Sequence, residues 1–120
     1  MNKIRVLLAN HPMMVPNPIR QLVTDQEDME LVGDCRGPMK ILQETGRANA
    51  DAVILTQEGE HEPGICSQLL AAYPDLIIMS VTPDLTTTCT FQLASHRSDF
   101  INMGYEDIVQ RLREATRIGH

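Results

Sequence analysis

The segment Ala52-Val-Ile-Leu-Thr56 constrains the fold more than any other part of the sequence. Four consecutive apolar residues stand between Asp51 and a polar loop that contains Gly59. An apolar run without polar alternation is typical of a central strand in a parallel sheet, where helices cover both faces. Open sheets of this kind bind their ligands beyond the carboxyl ends of the strands. We therefore expect Thr56, which ends this strand, to lie at the candidate functional site.

Four more segments are predicted to be strands, and segments with helical patterns separate them. The additional strands are expected at residues 4–9, 29–34, 76–81 and 98–102. Helices are expected at residues 18–26 and 105–118, and two more are expected to begin at Pro38 and Pro63. Asn17 is the predicted N-cap of the first helix, and Gly46 is predicted to end the second. Pro74 stops the third helix at Tyr73, because the residue before a proline leaves the helical region.

Strands that alternate with helices imply right-handed crossovers and one parallel sheet. The predicted fold is α/β and flavodoxin-like, a three-layer sandwich with a five-stranded parallel sheet in the order 2-1-3-4-5. An order of the Rossmann half type is the alternative. Residues 82–97 are predicted to be a degenerate fourth helix region, either a short helix or an extended segment, because the threonines at 86–88 and 90 favour extended structure.

Composition narrows the class of protein. The 120 residues suit one domain, and the net charge of −6, with no basic cluster, argues against nucleic acid as the partner. Three widely spaced cysteines without a CxxC pair indicate reduced thiols rather than disulfides or a zinc site. The sequence offers no signal peptide and no apolar run of membrane-spanning length. We therefore expect a cytoplasmic protein that binds neither nucleic acid nor membrane.

Motifs of common enzyme classes are missing from the sequence. There is no GxGxxG, GxxxxGK[ST], HExxH or GxSxG, and no flavin or cobalamin signature. His11 with Ser80 or Thr56 is the combination that most suggests catalysis, and no third group orients these side chains. The acidic loop at residues 57–62 is predicted to be solvated rather than metal-binding. We therefore predict a protein that is not an enzyme and that needs no cofactor or metal.

Four segments, taken together, resemble receiver domains of two-component response regulators. They are residues 4–12, 29–33, 51–55 and 73–80, and their order and separation match those of the family. The resemblance covers about residues 3–117 and is nearest to receivers that are fused to a helix-turn-helix output module. It implies a single receiver-like domain over residues 1–120, a role in phosphorelay signal transduction and a protein partner.

The sequence departs from that family at the positions that carry its chemistry. By the resemblance, Ala9, Asn10 and His11 stand where receivers have the paired acids that hold magnesium, with one residue fewer and neither acid present. Thr56 replaces the phospho-accepting aspartate, and Asn102 replaces the lysine. Ser80 matches the switch hydroxyl of the family, with Thr82 as the alternative.

These replacements remove the groups that phosphotransfer requires. Aspartyl phosphorylation needs a carboxylate nucleophile and a divalent cation, and magnesium prefers anionic oxygen ligands. The resemblance therefore implies a pseudo-receiver, which has a receiver-like fold without receiver chemistry. Its vestigial phospho-acceptor pocket comprises Asn10, His11, Thr56, Ser80 and Asn102.

Two interpretations of this pocket remain open. Asn10, Thr56, Ser80 and Asn102 are expected to converge as a small uncharged site, which either binds a ligand or is locked in one signalling state. Alternatively, these side chains hydrogen-bond only among themselves. His11 is expected to make local contacts within its turn.

The partner-binding face is expected to comprise residues 82–97, the fifth strand and the last helix. The resemblance implies this location, and the residues predicted to contact the partner are Thr86, Thr87, Thr88, Phe91, Phe100 and Tyr105. The predicted function is a non-phosphorylatable signalling or regulatory module that acts through protein–protein interaction, with a homodimer as one arrangement. The alternative is a small-molecule sensor that uses the neutral pocket.

Overall fold

The computed structural model describes residues 3–11, 13–57, 64–83, 87–91, 98–101, 109–110 and 112–114, with only the backbone described at 87–91 and 98–101. These residues form β1 (Ile4–Asn10), α1 (Asn17–Thr24), β2 (Met29–Arg36), α2 (Pro38–Arg47), β3 (Ala52–Thr56), α3 (Gly64–Ala72), β4 (Ile77–Val81), β5 (Thr87–Phe91) and β6 (Ser98–Ile101). Residues 109–110 and 112–114 are also helical and fall within the predicted last helix.

The described strands form one sheet in the order β2-β1-β3-β4-β5-β6. The first four are parallel, with β1 between β2 and β3, and β4 beside β3. This arrangement confirms the predicted α/β class and the order 2-1-3-4. The Rossmann half order is wrong, because it would place β4 rather than β3 beside β1.

The prediction of five parallel strands is wrong at the far end of the sheet. An additional strand, β5, pairs antiparallel with β4, and β6 pairs antiparallel with β5. The predicted fifth strand therefore exists as β6 and runs in the direction of β4, but β5 separates the two. Threonines at 87, 88 and 90 are compatible with this extra strand, because β-branched side chains favour extended structure, and pairing with β4 selects it over a crossover helix.

Apolar side chains fill both faces of the parallel strands. Side chains alternate along each strand, so successive residues of β3 point to opposite faces. All five residues of β3 are buried, as predicted for a central strand. The face towards α1, hereafter the α1 face, contains Val6, Leu8, Ile19, Val23, Ile54, Met79, Val109 and Leu112. The face towards α2 and α3, hereafter the α2–α3 face, contains Leu7, Ile41, Val53, Leu55, Ile65, Leu69 and Ile78.

The predicted boundaries of α1 and α2 differ from the structure by one or two residues, and α1 ends at Thr24 rather than at residue 26. Pro16, not Asn17, is at the N-cap of α1, and its side chain makes no capping bond. Gly46 does not end α2, which continues to Arg47. Gly46 is needed instead for close packing against Tyr73, because a Cβ at this position would lie 2.5 Å from the Tyr73 hydroxyl oxygen. That hydroxyl is fixed, since it donates a 2.6 Å hydrogen bond to the carbonyl of Leu42.

We predict that Gly46→Ala lowers the free energy of unfolding by about 1–3 kcal/mol, because the added methyl group overpacks the α2–Tyr73 contact. This loss outweighs the gain in helix propensity of about 1 kcal/mol. Urea denaturation of the wild type and the variant measures the net change in the free energy of unfolding. Gly64→Ala is the matched control, since a Cβ there meets nothing within 4 Å and its expected effect lies between zero and a gain of about 1 kcal/mol. Equal effects of the two substitutions would contradict the packing role of Gly46.

Candidate functional site

The candidate site lies at the carboxyl ends of the parallel strands. Asn10 ends β1 and Thr56 ends β3, and these two strands are neighbours. The chain leaves β1 for β2 on one side and returns to β3 on the other, so the order of the sheet reverses at this point. Open α/β sheets bind ligands at such a reversal. The half-buried His11 follows β1 directly.

Asn10 is only 7% exposed, and its amide group is fully used in hydrogen bonds. Its Nδ2 donates to Oδ1 of Asp34 at 2.7 Å and to the carbonyl oxygen of Cys35 at 3.0 Å. Its Oδ1 accepts a 2.9 Å hydrogen bond from the backbone N–H of Val15. Asn10 therefore joins the end of β1 both to β2 and to the loop before α1.

Asp34 and Arg20 extend this network to the first helix. Arg20 donates to both carboxylate oxygens of Asp34, through Nε at 2.5 Å and Nη2 at 3.1 Å. Its Nη1 donates to Oδ1 of Asn17 at 2.6 Å. The hydrogen bond from Arg20 holds the pKa of the Asp34 carboxyl below its usual range, opposed by partial burial and reinforced by the bond from Asn10. The same bond raises the pKa of Arg20.

An irregularity in the pairing of β1 with β2 brings Asp34 to this position. The register shifts by one residue between Val6 and Leu7, so that Leu8 is opposite Asp34. With regular pairing Asp34 would be opposite Ala9 and on the α2–α3 face, because neighbouring residues point to opposite faces. The shift turns the carboxylate to the α1 face, where Arg20 lies. Strand bulges often reorient a side chain in this way.

Asp34 and Arg20 were not predicted as site residues. If side chains alternated regularly along β2, Asp34 would lie on the α2–α3 face, away from Arg20. The alternating pattern therefore gives no sign of the Asp34–Arg20 contact. Gly33 was the available signal, because a glycine inside a strand often marks a bulge or a close approach. A Cβ on Gly33 would lie 2.9 Å from Cδ1 of the buried Leu7.

Thr56 and Ser80 carry buried hydroxyl groups for which the described residues provide no hydrogen-bond partner. Thr56 lies two residues after Ile54 on β3, so its side chain is on the same α1 face. Ser80 lies two residues after Ile78 on β4, so its side chain is on the α2–α3 face. Asn10 shares the α1 face with Thr56. The structure thus brings two of the four expected pocket residues to one face and places Ser80 on the other.

The other predicted site residues are described less fully. Asn102, Thr86, Tyr105 and most of the acidic loop (58–62) lie outside the described residues. Thr87, Thr88 and Phe91 belong to β5 and Phe100 belongs to β6, at the end of the sheet opposite β2. Four of the six residues predicted to contact a partner therefore belong to the antiparallel strands, and the partner-binding face stays a prediction.

The residues at the ends of β1 and β3 do not fit the magnesium ion that receivers hold. The side-chain oxygen of Asn10 already accepts the N–H of Val15, and Thr56 offers only a neutral hydroxyl. Magnesium sites normally include at least one carboxylate. Across the described ranges, no group of three histidine, cysteine, aspartate or glutamate side chains is placed to share a metal ion.

A separate cleft of about 460 Å³ lies at the opposite edge of the sheet, before the strands begin. It is lined by the end of α2, by Asp51 and by the turn at residues 73–75. Its one fully buried hydroxyl, on Thr45, already donates to the carbonyl of Ile41 at 2.7 Å. The cleft is therefore distinct from the strand-end site and offers no unpaired buried group.

The sequence matches no protein-family model and no curated protein. The resemblance to receivers thus stays a prediction that depends on the four sequence segments. Among the helices that the structure describes, none is long and apolar enough to cross a membrane.

We predict that the Asp34–Arg20 pair stabilises the fold at neutral pH by about 1 kcal/mol, a modest amount because both side chains are partly exposed. The folded-state pKa of Asp34 is lowered, so this contribution is present above the pKa of an unfolded aspartate, about 4, and is lost as the pH falls below it. Urea denaturation of the wild type and Asp34→Asn between pH 7 and pH 3 measures the difference, which should shrink towards acid. Arg20→Gln should remove the same pH-dependent part, and unchanged pH profiles in both variants would contradict the assignment.

We also predict that Thr56→Val leaves the free energy of unfolding unchanged or raises it by about 1 kcal/mol, because a methyl group replaces a buried hydroxyl of similar size that has no partner among the described residues. Thr45→Val is the matched control. Thr45 is equally buried, but its hydroxyl donates to Ile41, so its loss should cost about 1 kcal/mol. Chemical denaturation of both variants gives the comparison. A similar loss in the two would show that the Thr56 hydroxyl has a partner in solution.

Proposed function

We propose that the protein is a receiver-like signalling or regulatory module that is not phosphorylated and acts through contact with another protein. The order 2-1-3-4 of the parallel strands supports this proposal, because it is the flavodoxin-like order that the receiver resemblance implies. The antiparallel β5 is a departure from that fold, and it falls in the region that was expected to be degenerate.

The hydrogen bonding of Asn10 is the observation that carries the proposal. This side chain stands where the resemblance places a magnesium-binding acid, yet it uses both its oxygen and its nitrogen to hold β1, β2 and the following loop together. The carboxylate it contacts, Asp34, is bound by Arg20. The residues at this edge thus serve a structural network, while Thr56 offers no carboxylate to accept a phosphoryl group.

A module without phosphorylation needs another source of control. A two-state protein shifts only when something binds one state more tightly than the other. For this protein, partner binding or the amount of protein present supplies that control. No phosphoryl transfer and no other chemical step is part of the proposed function.

We expect no phosphorylation when the protein is incubated with acetyl phosphate and magnesium. Intact-mass spectrometry at neutral pH measures the result, and an active receiver domain in the same reaction serves as the positive control. Thr56→Asp restores the acceptor type but not the cation ligands, so it too should remain unmodified. A labile phosphoryl group on any strand-end residue of the wild type would overturn the proposal.

A small-molecule sensor is the second candidate function, and the buried hydroxyl of Thr56, which has no partner among the described residues, favours it. Burying a polar group without a partner costs free energy, so a ligand that pairs with such a hydroxyl would be stabilising. A sensor would show a ligand-dependent rise in melting temperature that Thr56→Val reduces. Under the leading proposal, Thr56→Val changes only the stability of the protein itself.

A further inference from the structure

We draw no further inference here: the strongest candidate, the cleft between the end of α2, Asp51 and the turn at residues 73–75, carries no proposal, because the described residues that line it add to its two aspartates no unpaired buried group that would show what it binds.

Discussion

The one-residue register shift between β1 and β2 determines the arrangement of the strand-end site. It turns Asp34 towards α1, where Arg20 binds it and Asn10 donates to it. Without this shift the amide of Asn10 would lose its carboxylate partner. The end of β1 is thus held by a neutral amide and an internal ion pair.

Much of the central fold could be predicted because its signals are local and mutually consistent. The apolar run of β3 and the helical patterns between strands were sufficient to predict a parallel sheet. Two strand orders stayed open, and the flavodoxin-like one was right for the first four strands. The antiparallel end of the sheet, formed by β5 and β6, could not be predicted from such local signals. Residues 82–97 combine β-branched threonines with enough length for a helix, and the composition alone does not decide between them. The outcome at 87–91 depends on pairing with β4, which is a tertiary interaction.

The candidate site was predictable in position but not in its contacts. Asn10 and Thr56 lie at strand ends as expected, because the strand boundaries follow from the apolar runs. Ser80 was expected beside them. It lies two residues after Ile78 on β4, however, and so shares the α2–α3 face, which is the opposite face of the sheet. The roles of Asp34 and Arg20 depend on the register of β2, and a single sequence seldom reveals a bulge except through a glycine such as Gly33.

The same irregularity has a consequence for self-association. β2 is the terminal strand of the sheet at this end, and a regular terminal strand offers unpaired backbone groups on which another chain can align. A bulge bends and twists such a strand, so that a foreign strand cannot continue the hydrogen-bond ladder along its whole length. The bulge in β2 therefore disfavours edge-to-edge pairing of copies on this side of the sheet.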